Sequence, residues 1–188
     1  MWSVYGRSFE KRYTDLLPLI PRGASVVDLC AGDAYFYRRY LKPLGTEYHG
    51  LDESPRFVRR GRARGVEMQQ FDVRTGTVPV ADVVMMQASL YHFLEAAPAV
   101  IGRMLASARE RVIVTEAVVS LSDSPNPIVA RFARWATTPA GAPRDYTGNR
   151  YTRESLDAVF RTFPSFVESF PIAGGREVAG VFRGCHGT

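Results

Sequence analysis

Asp28, Asp33, Asp52 and Asp72 are the residues best placed to do chemistry as a group. Each ends or closely follows a short apolar run in a chain whose net charge is +5. A carboxylate accepts two hydrogen bonds from a vicinal diol, and several carboxylates together attract a cation. Strand ends of an α/β sheet open on one crevice, so acids at those ends share a rim. The pattern suits a ligand that carries both hydroxyl groups and positive charge.

The stretch Val26–Phe36 (VVDLCAGDAYF) must position the first two of these acids. It begins as a β-branched run suited to a buried strand. It then turns through small residues and opens an apolar-periodic segment that ends near Lys42. A strand, a tight turn and a helix of this kind place backbone N–H groups at the mouth of a sheet. A dinucleotide fingerprint would need glycine at three positions of that turn. They hold Cys30, Gly32 and Tyr35, so one glycine survives. Asp33 also stands where a helix N-terminus would face a phosphate, and a carboxylate there repels an anion. These features argue against NAD and for a cationic nucleoside.

The same stretch resembles the first motif of class I S-adenosylmethionine (SAM)-dependent methyltransferases, acid-x-Gly-x-Gly-x-Gly. Asp28 matches the acid and Gly32 the central glycine, while Cys30 and Ala34 replace the outer two. Wherever such a position needs a positive φ, a side chain there is strained. Gly50-Leu51-Asp52-Glu53-Ser54-Pro55 is similar to the family's second motif, about 20 residues further on, where an acid grips ribose hydroxyls. The resemblance implies SAM as cofactor, with S-adenosylhomocysteine (SAH) as product. It assigns Asp28, Leu29, Cys30, Ala31 and Gly32 to the cofactor turn, and Asp52 and Glu53 to the ribose. Asp72 and Val73 fall to the adenine, and Gln87, Ala88 and Ser89 to the strand end beside the methyl group. It implies no metal.

Taken in order, residues 1–22 read as an N-terminal helical cap, with Phe9, Tyr13, Leu16, Leu17 and Ile20 at helical spacing. Strands are expected at Ser25–Leu29, Glu47–Leu51, Val66–Phe71, Asp82–Ala88 and Arg111–Glu116. Helices are expected at Ala34–Lys42, from a Ser54 cap and Pro55 to Gly65, and at Pro98–Ala108. Thr152 caps a further helix with Leu156, Val159 and Phe160 on one face. Phe166–Ile172 and Glu177–Phe182, joined around Gly174-Gly175, read as an antiparallel hairpin. The fold class that follows is a doubly wound, Rossmann-like α/β sheet. It has seven strands, mostly parallel with an antiparallel C-terminal hairpin, and helices on both faces. The chain reads as one domain over 1–188, with 117–150 as a lid-like insertion containing a short helix with Phe132 and Trp135.

Composition narrows the function class. No apolar run is long enough for a bilayer span, and the first residues lack the pattern of a signal peptide. Cys30 and Cys185 make no metal-ligand spacing, which together with their number points to a reducing, cytoplasmic setting. The positive charge is almost all arginine. Its densest cluster, Arg56, Arg59, Arg60, Arg62 and Arg64, reads as a solvated helix face remote from the cleft, so a nucleic-acid partner is not favoured. The expected partner is a small molecule, without membrane, for a monomer or homodimer.

Catalytic candidates are His92 and Tyr91, which follow the fourth strand. His92 is a base if the acceptor must lose a proton, and a packing residue otherwise. Tyr91 orients a polar acceptor or packs. Substrate contacts are expected from Tyr5, Tyr91, Glu116, Tyr146 and Arg150; His49 reads as structural and His186 lies in the tail. The resulting expectation is methyl transfer to an O or N atom of a small molecule, in specialised metabolism. Two alternatives stay open: an RNA or protein methyltransferase, and a SAM-fold protein that binds ligand or catalyses something other than methylation.

Overall fold

A computed structural model describes residues 8–118 and 151–185. Its centre is a seven-stranded sheet in the order β3-β2-β1-β4-β5-β7-β6. The strands are β1 (Ser25–Leu29), β2 (Glu47–Asp52), β3 (Met68–Gln70), β4 (Ala81–Gln87), β5 (Ala108–Ala117), β6 (Phe166–Ile172) and β7 (Glu177–Arg183). The first five run parallel, and β7 lies antiparallel to both β5 and β6. Strand order reverses between β1 and β4, so the crevice beyond their C-terminal ends is the natural ligand position.

The near-continuous apolar runs of β1, β4 and β5 fit strands buried on both faces. Helices α1 (Ser8–Thr14) and α2 (Pro55–Arg62) and a helical segment after β1 cover one face. There Val26, Val83, Met85 and Ile113 meet Tyr13, Phe36, Leu41 and Val58. Helices α3 (Ala97–Leu105) and α4 (Arg153–Arg161) cover the other, where Leu29, Met86, Val112, Val114 and Phe182 meet Ile101, Met104, Leu156 and Phe160. Alternation along β1 therefore sends Asp28 to the same side as Val26.

Several boundaries differ from the sequence reading, each for a local reason. The segment after β1 was expected to be α-helical to Lys42. Instead Tyr37–Leu41 is π-wound, and Lys42–Leu44 forms a 3-10 turn closed by Gly45 at φ +72°. Pro43 supplies no N–H and would crowd the carbonyl of Arg39, and the wider turn absorbs both problems. Ser54 takes the extended N-cap conformation but makes no side-chain cap; its own N–H donates to Asp52 Oδ1 at 2.8 Å. Helix α2 ends at Arg62 rather than Gly65, β3 is confined to Met68–Gln70, and α3 stops at Leu105. Thr152 does cap α4, in a reciprocal pair with Ser155.

Two contacts tie the chain's beginning to its end. Arg12 pairs with Glu177 at 3.2 Å, both buried, and Asp15 accepts the N–H of Ala173 at 3.2 Å. Gly180, in the middle of β7, lies under the ring of Phe160, and a Cβ added there would come within 2.3 Å of it. Gly180→Ala should therefore cost about 1–3 kcal/mol through overpacking, read as a lower midpoint in urea unfolding with the slope unchanged.

Candidate functional site

At the C-terminal ends of β1, β2, β3 and β4 the chain assembles four short loops around one mouth. The first is the turn after β1, and its backbone is unusual. Cys30 (φ +57°), Gly32 (φ +57°) and Ala34 (φ +54°) all adopt left-handed conformations. These are the three positions at which the methyltransferase motif carries glycine. The turn keeps the shape and accepts the strain, about 1–2 kcal/mol for each non-glycine residue. A Cβ added at Gly32 would meet no atom within 4 Å, so the backbone there borders open space.

Asp52 fixes the turn from the neighbouring strand. Its Oδ2 accepts the N–H of Gly32 and its Oδ1 that of Ser54, both at 2.8 Å. Ala31 N–H donates to the Leu51 carbonyl at 3.1 Å, and Ala34 N–H closes the turn onto Ala31 at 2.9 Å. Burial raises the pKa of Asp52, and the two N–H donors work against that rise. Cys30, packed at the edge of the core, has its thiol pushed up to about 12, first by burial and then by the charges of Asp52 and Asp28. It is a neutral, unreactive small side chain.

Asp28 corrects the sequence reading. Its side chain lies beneath the turn, 3% exposed, and its Oδ2 accepts the hydroxyl of Tyr48 at 2.8 Å. Burial pushes its pKa up to about 7, against the lowering effect of that hydrogen bond. The expected acidic rim is also partly neutralised. Asp33 pairs with Arg38 at 3.2 Å and Arg64 at 2.7 Å, and Asp72 pairs with Arg74 at 3.5 Å. The arginine cluster is thus not wholly remote from the turn. Arg56, Arg59 and Arg60 are exposed on α2, whereas Arg64 reaches back to Asp33. Polar partners of this kind leave no periodicity, so nothing in the sequence announced them.

Beyond β3, Asp72 Oδ1 accepts the N–H of Arg74 at 2.8 Å, and Val73 is buried behind it. At the end of β4, Gln87 Oε1 is buried without a hydrogen-bond partner among the described residues, a costly state that a donor would relieve. Ala88 follows at φ +46°, with its N–H on the Thr115 carbonyl, and Ser89 Oγ donates to the Gln87 carbonyl at 2.9 Å. A 3-10 turn then carries Tyr91 and exposed His92, whose rings lie 3.9 Å apart. Glu116, expected to contact substrate, is buried and braces the turn. Its Oε2 accepts the N–H of Tyr91 at 3.0 Å, and its Oε1 that of Ala117 at 2.9 Å. His49 lies near the opposite end of the sheet, beside Glu67 at 3.5 Å. Tyr5, Tyr146, Arg150, His186 and the segment with Phe132 and Trp135 lie outside the described residues.

Solved structures share this architecture over most of their length. An N-methyltransferase, NodS from Bradyrhizobium japonicum, matches with a TM-score of 0.62 and 16% identity, over 95% of this chain and 97% of that one. Magnesium protoporphyrin IX methyltransferase from Synechocystis, with bound SAH, matches with a TM-score of 0.63 and 16% identity, over 92% and 80%. A SAM-dependent methyltransferase from Aquifex aeolicus gives a TM-score of 0.64 at 12% identity, over 92% and 89%. The chain has the class I SAM-dependent methyltransferase fold. No family model and no curated relative matches the sequence. Among the described residues, no helix is long and apolar enough to cross a membrane, and no His, Cys, Asp and Glu group could hold a metal ion.

Two outcomes test this site. Glycine normally weakens a helix start relative to alanine, but relief of the left-handed strain at Ala34 should outweigh the lost methyl. Ala34→Gly should leave stability unchanged or raise it by up to about 1 kcal/mol in urea unfolding. Asp28 binds a proton more tightly in the folded chain than in the unfolded one. Its contribution is therefore complete below about pH 4 and falls as pH rises to about 7. Asp28→Asn should flatten that slope and be the more stable form at pH 8, by about 4 kcal/mol at most; paired melts at pH 5 and pH 8 check it.

Proposed function

We propose that this chain is a SAM-dependent methyltransferase that methylates an O or N atom of a small molecule. The observation that carries the reading is the left-handed backbone at Cys30, Gly32 and Ala34, held by Asp52 at the strand-order reversal. A turn that keeps strain at two non-glycine positions is what a retained ligand cradle looks like. The open space over Gly32 and the buried Gln87 Oε1, without a partner among the described residues, also fit a bound ligand that carries a donor group. The solved neighbours, one of them with SAH bound, support the choice of cofactor.

In this reading Leu29, Cys30, Ala31 and Gly32 cradle the cofactor, with Asp52 and Glu53 at the ribose. Asp72 and Val73 take the adenine, and Gln87, Ala88 and Ser89 lie beside the reacting end. Asp28 supports the turn from below through Tyr48. SAM supplies an activated methyl group on a sulfonium that is already a good leaving group. The chain's own task is then to align the acceptor and exclude water. Tyr91 and His92 are the groups placed to orient the acceptor, and His92 takes its proton where the acceptor must lose one. Glu116 holds the turn that carries them. Further substrate contacts fall to Tyr5, Tyr146 and Arg150 on their sequence positions.

Isothermal titration with SAM and SAH, followed by methyl release over a panel of hydroxyl and amine acceptors, tests the reading. Asp52→Ala should weaken SAH binding by about 1–3 kcal/mol, since it loses ligand contacts and frees the Gly32 N–H together. Binding of SAH without release over any acceptor would favour a ligand-binding, non-methylating protein.

A further inference from the structure

One guanidinium joins three of the loops at the mouth. Arg74 Nη1 lies 3.3 Å from Glu53 Oε2, in the loop after β2, and 3.5 Å from Asp72 Oδ1, in the loop after β3. Its guanidinium carbon sits 5.0 Å from the ring centroid of Phe93, in the loop after β4. Phe93 is itself buried, so the platform is fixed, while the Arg74 side chain is half exposed. From behind, Arg103 Nη1 donates to the carbonyl of Val73 at 3.3 Å and anchors the same loop to α3. Arg74 is thereby held by two carboxylates and a ring face, and its backbone N–H also donates to Asp72 Oδ1.

This arrangement matters because Glu53 and Asp72 are like charges on neighbouring loops. Without a cation between them they repel and turn outward into solvent. With Arg74 in place, Asp72 uses Oδ1 and Glu53 uses Oε2 for the guanidinium. Asp72 Oδ2 and Glu53 Oε1 have no hydrogen-bond partner among the described residues, so each keeps an acceptor to offer a ligand. Both carboxylates meet the same nitrogen, Nη1, while the guanidinium carbon lies over the Phe93 ring, and a compact ammonium does not reach both carboxylates and the ring face with this geometry.

We propose that Arg74 is a positioning residue for the nucleoside end of the cofactor, setting Glu53 and Asp72 in the orientation that receives the ribose and the adenine. The inference rests on the SAM reading above and adds to it a residue that neither motif contains. Its energy is that of a partly exposed network, so the effect is modest and sensitive to salt.

The test is titration of the full chain with SAH and with methylthioadenosine, which lacks the amino-acid end, at low and high salt. Arg74→Ala should bind both ligands about three- to tenfold more weakly at low salt, with its melting temperature unchanged. Raising the salt should weaken wild-type binding toward that of the variant, and Arg74→Lys should recover only part of the loss. Equal affinity of wild type and Arg74→Ala, or full recovery by lysine, overturns the proposal while leaving the SAM reading intact. A wild-type chain that binds neither ligand overturns both.

Discussion

The hydrogen bond from Gly32 N–H to the Asp52 carboxylate is the constraint on which the site depends. It links the turn after β1 to the end of β2, two strands already in register through Leu29 and Leu51. Left-handed residues at Cys30 and Ala34 would relax in an isolated peptide. They persist because the surrounding strands and this carboxylate leave the turn no other path. The strain and the clamp are two sides of one arrangement, and both face the crevice where strand order reverses.

Much of the fold was legible because it rests on patterns that repeat. β1, β2 and the C-terminal strands are apolar or alternating runs bounded by turn residues, and they fall at or within a residue of their expected limits. The Thr152 cap is a local signal whose chemistry lies within three residues. What the sequence did not disclose lies in contacts that no repeating pattern marks. The π-wound segment reflects how Pro43 is accommodated, and Ser54 makes no side-chain cap while its backbone N–H donates to Asp52.

The same distinction explains the site. Position alone brought Cys30, Gly32, Asp52, Asp72 and Gln87 to one end of the sheet, since any residue ending a parallel strand lies there. Direction was harder to read. Asp28 points to the α1 side and meets Tyr48, Glu116 turns inward to Tyr91, and Asp33 is paired with Arg38 and Arg64. A carboxylate's preference for the strongest donor nearby decides these cases, and that donor sits about 5 to 30 residues away in sequence. The view of a purely acidic rim therefore gives way to one of acids individually matched to donors.

The strand order carries a consequence for how the molecule is made. β7 follows β6 in sequence, yet it lies inside the sheet, between β5 and β6. During synthesis β6 emerges first and has no edge to join, because its only neighbour in the sheet has not yet left the ribosome. Assembly of that side must wait for β7, and the Arg12 to Glu177 pair can close only then. A stop before Glu177 would therefore strip the sheet of two strands, not one.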